Sequence, residues 1–192
     1  MVSSLDNREG QAVQRLADDR QDDRIQALIG GQRVVKGFRP ARRLVSRPLV
    51  SIIIPTRNQA DLLKATIDSI LTRTDYDAYE IVVMDNDSRD ADAVAYLASL
   101  RQPCRVHRWT DPFNYSAINN DGARKAQGQQ LLFLNNDVEV IRPDWLTALL
   151  EYAQLDAVGA VGAKLLYSDG TIQHAGVVLN VGGVAQHAFR CT

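Results

Sequence analysis

Short uninterrupted runs of apolar residues alternate with amphipathic stretches along most of this chain. The first run, residues 49–54, is followed by Pro55 and predicts a strand that is buried on both faces. The stretch after it has apolar residues three and four positions apart, which predicts a helix. Its apolar positions are Leu62, Leu63, Ile67, Ile70 and Leu71.

The same alternation continues towards the end of the chain. Further strands are predicted over residues 79–84, 105–109, 130–134 and 158–166, and further helices over 91–100, 115–126 and 144–152. Gly128 is placed to cap the helix over 115–126, and Pro143 suits the first turn of the helix over 144–152. Residues 168–190 are glycine-rich and predict short β segments. Strands that alternate with helices indicate an α/β domain with a mostly parallel sheet.

The first 47 residues have a different character. Residues 1–30 are rich in Asp, Arg and Gln and predict a weakly capped helix that ends at Gly30 and Gly31. Residues 33–47 contain six basic residues and no acidic one. This run is either a solvated connector or a contact with an anionic membrane surface or an acidic partner. We therefore divide the chain into a helical arm with a basic linker, 1–47, and a main domain, 48–192.

Composition narrows the class of protein. The 192 residues are 45% hydrophobic and 23% charged, with a net charge of -1, so we expect no nucleic-acid partner. The two cysteines, Cys104 and Cys191, lie far apart in the sequence and favour a reducing compartment. No apolar run reaches the roughly 18 residues of a membrane span, and the N-terminus lacks a signal-peptide core. We expect a cytoplasmic protein, with peripheral association at the inner face of the membrane left open.

Polar clusters follow three of the predicted strands, at residues 55–58, 85–88 and 135–139. Open parallel sheets bind ligands outside the carboxyl ends of their strands. A single cluster of this kind commonly caps a turn or a helix. Three clusters at one edge of a sheet favour a binding site instead.

The chemistry of these clusters suggests a ligand. Neither a P-loop nor a G-x-G-x-x-G motif is present. Carboxylates that face a diphosphate would repel it by roughly 4 kcal/mol per close charge pair at an effective dielectric of about 20, and a divalent cation reverses that sign. The hard oxygen ligand of Asp137 suits Mg²⁺ or Mn²⁺. Asp85 and Asp87 can accept hydrogen bonds from a base N–H or from ribose hydroxyls.

Four segments, in this order, resemble motifs of glycosyltransferase family two, in its rhamnosyltransferase-like subgroup. They are residues 50–58, 85–88, 113–123 and 132–137, and the tail segment 169–176 is also similar. The resemblance covers about residues 48 to 190. It implies the GT-A fold, a Rossmann-like α/β/α sandwich with a mostly parallel central sheet. It also implies inverting transfer of a hexosyl or deoxyhexosyl group from a dTDP- or UDP-sugar to a glycan or lipid-linked acceptor, such as a cell-surface polysaccharide.

The resemblance assigns roles to individual residues. Asp137 would hold the metal on the diphosphate. Asn135 stands where the family pattern has an Asp, and an amide is a weaker metal ligand; Glu139 either compensates for this or lies exposed. The expected nucleotide-binding residues are Pro55, Thr56, Arg57, Asn58, Asp85, Asp87, Asn114, Asn119, Asn135 and Asn136.

A catalytic base is missing from these expectations. In the family, the base is an Asp or Glu in an acidic motif well after the metal-binding strand end. The carboxylates after Asp137 are Glu139, Asp144, Glu151, Asp156 and Asp169. We read Asp144, Glu151 and Asp156 as helix-cap or helix-surface residues, and Asp169 as part of a turn. We therefore expect no catalytic residue in this chain, a base beyond Thr192, and a C-terminally truncated domain that binds donor but transfers sugar poorly or not at all.

Two other functions compete with this one. A non-catalytic nucleotide-sugar-binding or interaction module would share the fold, while a receiver-like signalling domain would need an acidic pair where residues 55–57 stand. His174 and His187 are candidate metal or acid–base groups, although their small and apolar neighbours favour structural roles. The larger aromatic residues Trp109, Phe113 and Trp145 are expected in the core.

Overall fold

A computed structural model describes residues 42–179 and 185–187. The chain divides into two units between Arg42 and Arg43, and every element described here belongs to the second. The predicted N-terminal helix lies outside the described residues. None of the helices in the described part has the length and apolar character of a membrane span.

The elements follow the predicted alternation. The strands are β1 (Val50–Thr56), β2 (Tyr79–Asp85), β3 (Cys104–Arg108), β4 (Gln130–Phe133), β5 (Leu165–Leu166), β6 (Ile172–His174), β7 (Val177–Leu179) and β8 (Ala185–His187). The helices are α1 (Ala60–Arg73), α2 (Ala91–Ser99), α3 (Tyr115–Lys125) and α4 (Trp145–Ala153).

The central sheet has the order β3-β2-β1-β4, and every pair in it is parallel. This confirms the predicted α/β class. The chain moves outward from β1 through β2 to β3 and then returns to the other side of β1 to form β4. Right-handed crossovers that run in opposite directions place their helices on opposite faces of the sheet. The point where the direction reverses lies between β1 and β4, where such sheets open a crevice for ligands.

Two apolar clusters flank this sheet. The larger one combines Ile52 and Ile54 of β1 with side chains from α1, α2 and α4. The smaller one combines Ile53 with Val82, Met84 and Ile118, so that α3 covers the opposite face. Because β1 and β2 lie between these two layers, their side chains are buried on both faces, as their apolar runs predict.

Two glycines bring the α3–β4 region against β1. A Cβ atom at Gly122 would lie 2.6 Å from Ile53 Cγ2, and one at Gly128 would lie 2.5 Å from the Leu49 carbonyl oxygen. The helix ends at Lys125, followed by extended backbone at Ala126. The prediction that Gly128 caps this helix is therefore wrong, and the glycine serves a close backbone approach instead.

Pro55 does not end the first strand but lies inside it. The Val50 N–H donates to Ala78 next to β2, so the alternation of a strand turns the nitrogen of Pro55 towards β4. The Leu134 N–H still donates to the Ile53 carbonyl oxygen at 3.0 Å, and the pairing between β1 and β4 goes no further. Pro55 has no N–H to continue this ladder, so the proline marks the end of the β1–β4 pairing.

The predictions after β4 need two corrections. The strand expected over residues 158–166 is reduced to β5, which pairs antiparallel with β6 outside the central sheet. Gly159 and Gly162 weaken the strand propensity of that segment. Pro143 does not lie in the first helical turn, because Asp144 takes the N-cap position and α4 begins at Trp145.

Candidate functional site

The carboxyl ends of β1, β2 and β4 meet around Thr56. Thr56 is the register neighbour of Asp85, and its carbonyl oxygen accepts a 2.8 Å hydrogen bond from the Asn86 N–H. On the other side, its hydroxyl oxygen lies 3.0 Å from Asn136 Nδ2, which donates to it. Thr56 is 5% exposed, so these bonds fix it firmly. The expected convergence of the three polar clusters on one edge is confirmed.

The loops after β1 and β2 are tied together by Asn58. Its N–H donates to Ser88 Oγ at 2.8 Å, and its side-chain oxygen accepts from the N–H groups of Arg89 and Asp90. Asn58 has a φ of 56° and Asp87 a φ of 53°, so both occupy the left-handed region that is uncommon for residues with a Cβ atom. The side-chain oxygen of Asn58 therefore serves the loop itself. Its predicted role towards a nucleotide remains a prediction.

Two of the three aspartates at this edge already have partners. Asp85 is 7% exposed and accepts a 2.9 Å hydrogen bond from the Ser88 N–H. The Asp87 carboxylate binds Arg108 through one oxygen and Arg89 through the other. Hydrogen bonds from Arg108, and then from Arg89, lower the pKa of Asp87 below its ordinary value. Asp87 is therefore an ionised hydrogen-bond acceptor whose charge is balanced by Arg89 and Arg108.

The N-terminus of α3 reaches the same edge. Asn114 is the N-cap residue, and its side-chain oxygen accepts a 3.0 Å hydrogen bond from the Ala117 N–H. The Tyr115 hydroxyl donates to Asn135 Oδ1 at 3.3 Å, which joins the start of α3 to the end of β4. The side-chain oxygen of Asn114 therefore caps α3.

Asn119 carries a polar atom that the fold leaves unsatisfied. The side chain is 6% exposed, and its Nδ2 donates to the Tyr115 carbonyl oxygen at 2.9 Å. Its Oδ1 is buried and has no hydrogen-bond partner among the described residues. A buried acceptor without a partner costs about 1–3 kcal/mol, so a ligand or water donor is expected there.

Asp137 differs from the other aspartates of the site. It is exposed, and its carboxylate makes no hydrogen bond or ion pair with any residue that the structure describes. Arg57 shares both properties. Within residues 42–179, no group of three or more His, Cys, Asp or Glu side chains could hold a metal ion. One carboxylate fits Mg²⁺ or Mn²⁺ only where the ligand's phosphate oxygens and water complete the coordination.

Four expectations about buried and exposed side chains are corrected or confirmed. Phe113 is 68% exposed and lies in the polar loop before α3, so its predicted core position is wrong. Trp109 packs against the smaller apolar cluster and Trp145 against the larger one, as expected. Glu151 is 4% exposed, because α4 turns it inward, and is not a surface residue.

The remaining candidates belong to the segment that follows α4. His174 is half-buried in β6, and the side chain of His187 is outside the described part of the chain. Asp169 forms the predicted turn, with its Oδ1 accepting a 2.9 Å hydrogen bond from the Thr171 N–H. The hydrogen bonds within this turn lower the pKa of Asp169, which keeps the carboxylate charged.

Sequence reasoning missed the contribution of α1 to this edge. Thr66 and Ser69 are buried in the apolar face of α1, and both bond to the segment that follows β4. A signal was available, because a hydroxyl inside an apolar helical stripe needs a partner. Its partner could not be read from the sequence.

The fold and the site together define an α/β domain with a polar, partly acidic edge at the topological switch point of its sheet. Residues 51–178 match the model of the family described as Glycosyl transferase family 2. The chain belongs to this family, and the expected GT-A fold is confirmed.

Two relatives each cover about three quarters of this chain. An uncharacterised protein of Sinorhizobium fredii is 50% identical over 143 residues, which is 73% of this chain and 16% of that protein. The O-antigen biosynthesis protein RfbC of Myxococcus xanthus is 48% identical over 143 residues, which is 74% of this chain and 11% of that protein. The chain therefore spans a small part of these two relatives.

A solved structure shares the fold. It is a mannosyltransferase of Pyrobaculum calidifontis in complex with GDP-Man and Mn²⁺. The sequence identity is 25% and the TM-score is 0.56, over 71% of this chain and 39% of the mannosyltransferase.

Proposed function

We propose that the main domain is the donor-binding part of a glycosyltransferase and holds a nucleoside diphosphate sugar through a divalent cation. The observation that carries this proposal is the state of Asp137, which presents an unpartnered carboxylate at the switch point between β1 and β4. Family membership and a structural neighbour in complex with a nucleotide sugar and Mn²⁺ support it.

Each polar group of the crevice has a role in this proposal. Asp137 would hold Mg²⁺ or Mn²⁺, and the cation would supply positive charge to stabilise the leaving nucleoside diphosphate. The unpartnered guanidinium of Arg57 binds phosphate oxygens, for which its planar donors are suited. The buried Oδ1 of Asn119 accepts a hydrogen bond from the nucleotide, which satisfies the acceptor that the fold leaves open.

The remaining predicted residues shape this crevice. Asp85 and Asp87 line the nucleoside, and Asn135 offers its amide N–H group to a hydroxyl or phosphate oxygen. Thr56, Pro55 and Asn136 form the floor between β1 and β4, while Asn58 and Asn114 hold the surrounding loop and helix in place.

The proposal extends to the chemical class of the sugar donor and of the acceptor. We expect a dTDP- or UDP-sugar, and GDP belongs in the same test because the solved neighbour is in complex with GDP-Man. The acceptor is a glycan or lipid-linked sugar, since one relative is named for O-antigen biosynthesis. Peripheral contact with the inner face of the membrane would bring the domain to such an acceptor.

A binding module without turnover is the second candidate. The observation that favours it is Asn135, which leaves one carboxylate where the family pattern has two. Hydrolysis and transfer of the bound donor sugar separate the two functions, because the module binds the donor and releases it unchanged.

Calorimetric titration with UDP, dTDP and GDP tests the proposal, with Mn²⁺ present and with EDTA in its place. We expect Mn²⁺ to increase the affinity for at least one of these nucleotides about tenfold, since Asp137 would hold a cation that offsets the negative charge of the phosphates. Asp137→Asn should remove this increase. The matched control is Asp156→Asn, another exposed aspartate after α4, which should keep it. Equal nucleotide affinities of the wild-type chain in Mn²⁺ and in EDTA would refute the proposal.

A further inference from the structure

The segment between β4 and α4 is held to α1 at two points. Near its start, the Thr66 hydroxyl donates to the Asn136 carbonyl oxygen at 2.8 Å. Four residues further on, the Val140 N–H donates to Ser69 Oγ at 3.0 Å, and Arg73 donates to the Val140 carbonyl oxygen at 2.7 Å. The residues between these points, 137–139, include the candidate metal ligand.

These three α1 side chains share one face of the helix, because they are three and four positions apart. Thr66 is fully buried and Ser69 is 4% exposed, within the same stripe as Leu63, Ile67 and Ile70. Burying a hydroxyl in such a stripe is unfavourable unless it finds a hydrogen-bond partner. The Thr66 hydroxyl donates to the backbone of the segment after β4, and Ser69 Oγ accepts from it while donating to the Thr66 carbonyl oxygen within α1.

The Thr66 bond bears directly on Asp137. The Asn136 carbonyl and the Asp137 N–H belong to one peptide group, which is planar. A hydrogen bond to this carbonyl oxygen therefore also fixes the orientation of the Asp137 N–H and Cα. The side chain of Asn136 is held as well, through its bond to Thr56. Asp137 has no side-chain partner among the described residues, so its backbone is what orients it.

We propose that Thr66 is a positioning residue for the metal site. Its hydroxyl holds the Asn136–Asp137 peptide so that the Asp137 carboxylate faces the cation and the diphosphate together, while Ser69 and Arg73 secure the far end of the segment. This inference rests on the proposed function, in which Asp137 is the metal ligand. Groups that orient a metal ligand typically affect metal affinity about 10- to 100-fold.

A merely structural role for Thr66 has a different consequence. Loss of the bond would then loosen the crevice as a whole and weaken nucleotide binding equally with and without metal. A positioning role affects the metal-dependent part alone. The ratio of the nucleotide affinities in Mn²⁺ and in EDTA therefore separates the two roles.

The test uses the full chain and two substitutions at Thr66. Thr66→Val keeps the shape and removes the hydroxyl, whereas Thr66→Ser keeps the hydroxyl. With the nucleotide that the wild-type chain binds best among UDP, dTDP and GDP, we expect Thr66→Val to lower the affinity in Mn²⁺ about tenfold and to leave the affinity in EDTA unchanged. Thr66→Ser should restore at least most of the loss.

The control is Thr72→Val on the same helix. Thr72 is exposed, and its hydroxyl bonds to the Asp68 carbonyl oxygen within α1, so its loss should alter neither affinity. If Thr66→Val melts below the assay temperature, Thr66→Ser against wild type decides the role of Thr66, and Arg73→Met tests the far end of the segment, where we expect a smaller loss that is again confined to Mn²⁺. Arg73 is exposed, and its loss frees the Val140 carbonyl oxygen without opening the core.

The outcomes distinguish this inference from the function on which it rests. An equal loss of nucleotide affinity in Mn²⁺ and in EDTA would overturn the positioning role of Thr66, and so would identical affinities of the Val and Ser variants. Either result would leave the proposed role of Asp137 as metal ligand standing. A wild-type chain without Mn²⁺-dependent nucleotide binding would overturn both proposals. A selective loss that Thr66→Ser repairs supports both.

Discussion

At the scale of single residues, Gly128 has the least freedom of any glycine in the described part of the chain. A Cβ atom there would lie 2.5 Å from the Leu49 carbonyl oxygen and 2.7 Å from both the nitrogen and the hydroxyl oxygen of Ser51. Two of these three atoms are backbone atoms of a buried region and cannot rotate away. The Gly128 N–H also donates to Ser51 Oγ at 2.8 Å, so the approach is bonded as well as close.

Gly128→Ala should therefore lower the free energy of unfolding by about 3 kcal/mol, the cost of forcing atoms into a packed region. Urea denaturation followed by circular dichroism measures this change. The matched control is Gly159→Ala, since a Cβ atom at Gly159 meets nothing within 4 Å. The control should be neutral or slightly stabilising. Equal stabilities of the two variants would contradict the importance of this contact.

At the scale of elements, one buried carboxylate joins three strands and a loop at the amino edge of the sheet. Glu80 of β2 accepts hydrogen bonds from the Ser51 hydroxyl at 2.6 Å, from the Gln127 N–H at 2.7 Å and from Arg105 at 2.7 Å. Arg105 also donates to the Lys125 carbonyl oxygen at the end of α3. The network fixes the return of the chain from α3 to β4, and hence the position of β4 beside β1.

The charge of Glu80 is part of this network. Burial alone would raise its pKa, but the hydrogen bonds from Ser51, Gln127 and Arg105 outweigh burial and hold the pKa below its ordinary value. A carboxyl group whose pKa is lower in the folded chain stabilises the fold above its unfolded pKa, about 4.3 for Glu. That stabilisation is lost as the pH falls through the folded pKa.

Glu80→Gln should reduce stability at pH 7 by about 1–3 kcal/mol, because a charged acceptor with three donors becomes a neutral amide. The difference from the wild-type chain should shrink as the pH falls below about 4. Urea unfolding at several pH values measures it. Glu139→Gln, a change at an exposed carboxylate, is the control and should be close to wild type throughout. A pH-independent difference would argue against the charge as its cause.

At the scale of the whole molecule, residues 43–47, the end of the basic linker, bind at the edge of the sheet opposite the candidate site. Gln154, at the end of α4, accepts from the Val45 N–H at 2.8 Å and donates to the Arg43 carbonyl oxygen at 3.0 Å. Arg47 lies 4.5 Å above the Tyr76 ring and pairs with the neighbouring Asp77. These contacts precede β1 and β2, so Arg43 and Arg47 do not line the crevice.

Gln154→Ala should release this segment without affecting the crevice. We expect faster tryptic cleavage after Arg43, because both hydrogen bonds that hold the segment to α4 are lost; the Arg47–Pro48 bond is not a trypsin site. Mass spectrometry of the fragments over time measures the rates, and nucleotide affinity should not change. Gln173→Ala, on an exposed position of β6, is the control. Unchanged cleavage rates would show that other contacts hold the segment.

The parts of the fold that the sequence predicts correctly are those whose burial is visible in the local amino-acid composition. The runs that form β1 and β2 are apolar because both faces of these strands are covered, so their composition reveals their position. The segment over 158–166 has a similar run but only two residues in a strand. Whether such a run pairs with a sheet depends on a neighbouring strand, which composition does not show.

The candidate site was predictable to a similar extent. The polar clusters after β1, β2 and β4 could be placed at one edge, because parallel strands bring their carboxyl ends together. The sequence did not show that Asp87 is neutralised by Arg89 and Arg108 while Asp137 has no described partner. Arg108 is 21 residues from Asp87 in the sequence, and such pairs form only when the chain folds back.

The sequence by itself determined the α/β class, the order of the main elements and the residue types at the carboxyl edge, because these depend on local patterns of apolar and polar side chains. Only the tertiary structure decided which of the polar residues remain available to a ligand and how Asp137 is held. Those properties depend on hydrogen bonds between distant segments, such as Thr66 with Asn136 and Glu80 with Gln127. Once folding has satisfied most polar groups, the few that remain open define the candidate site.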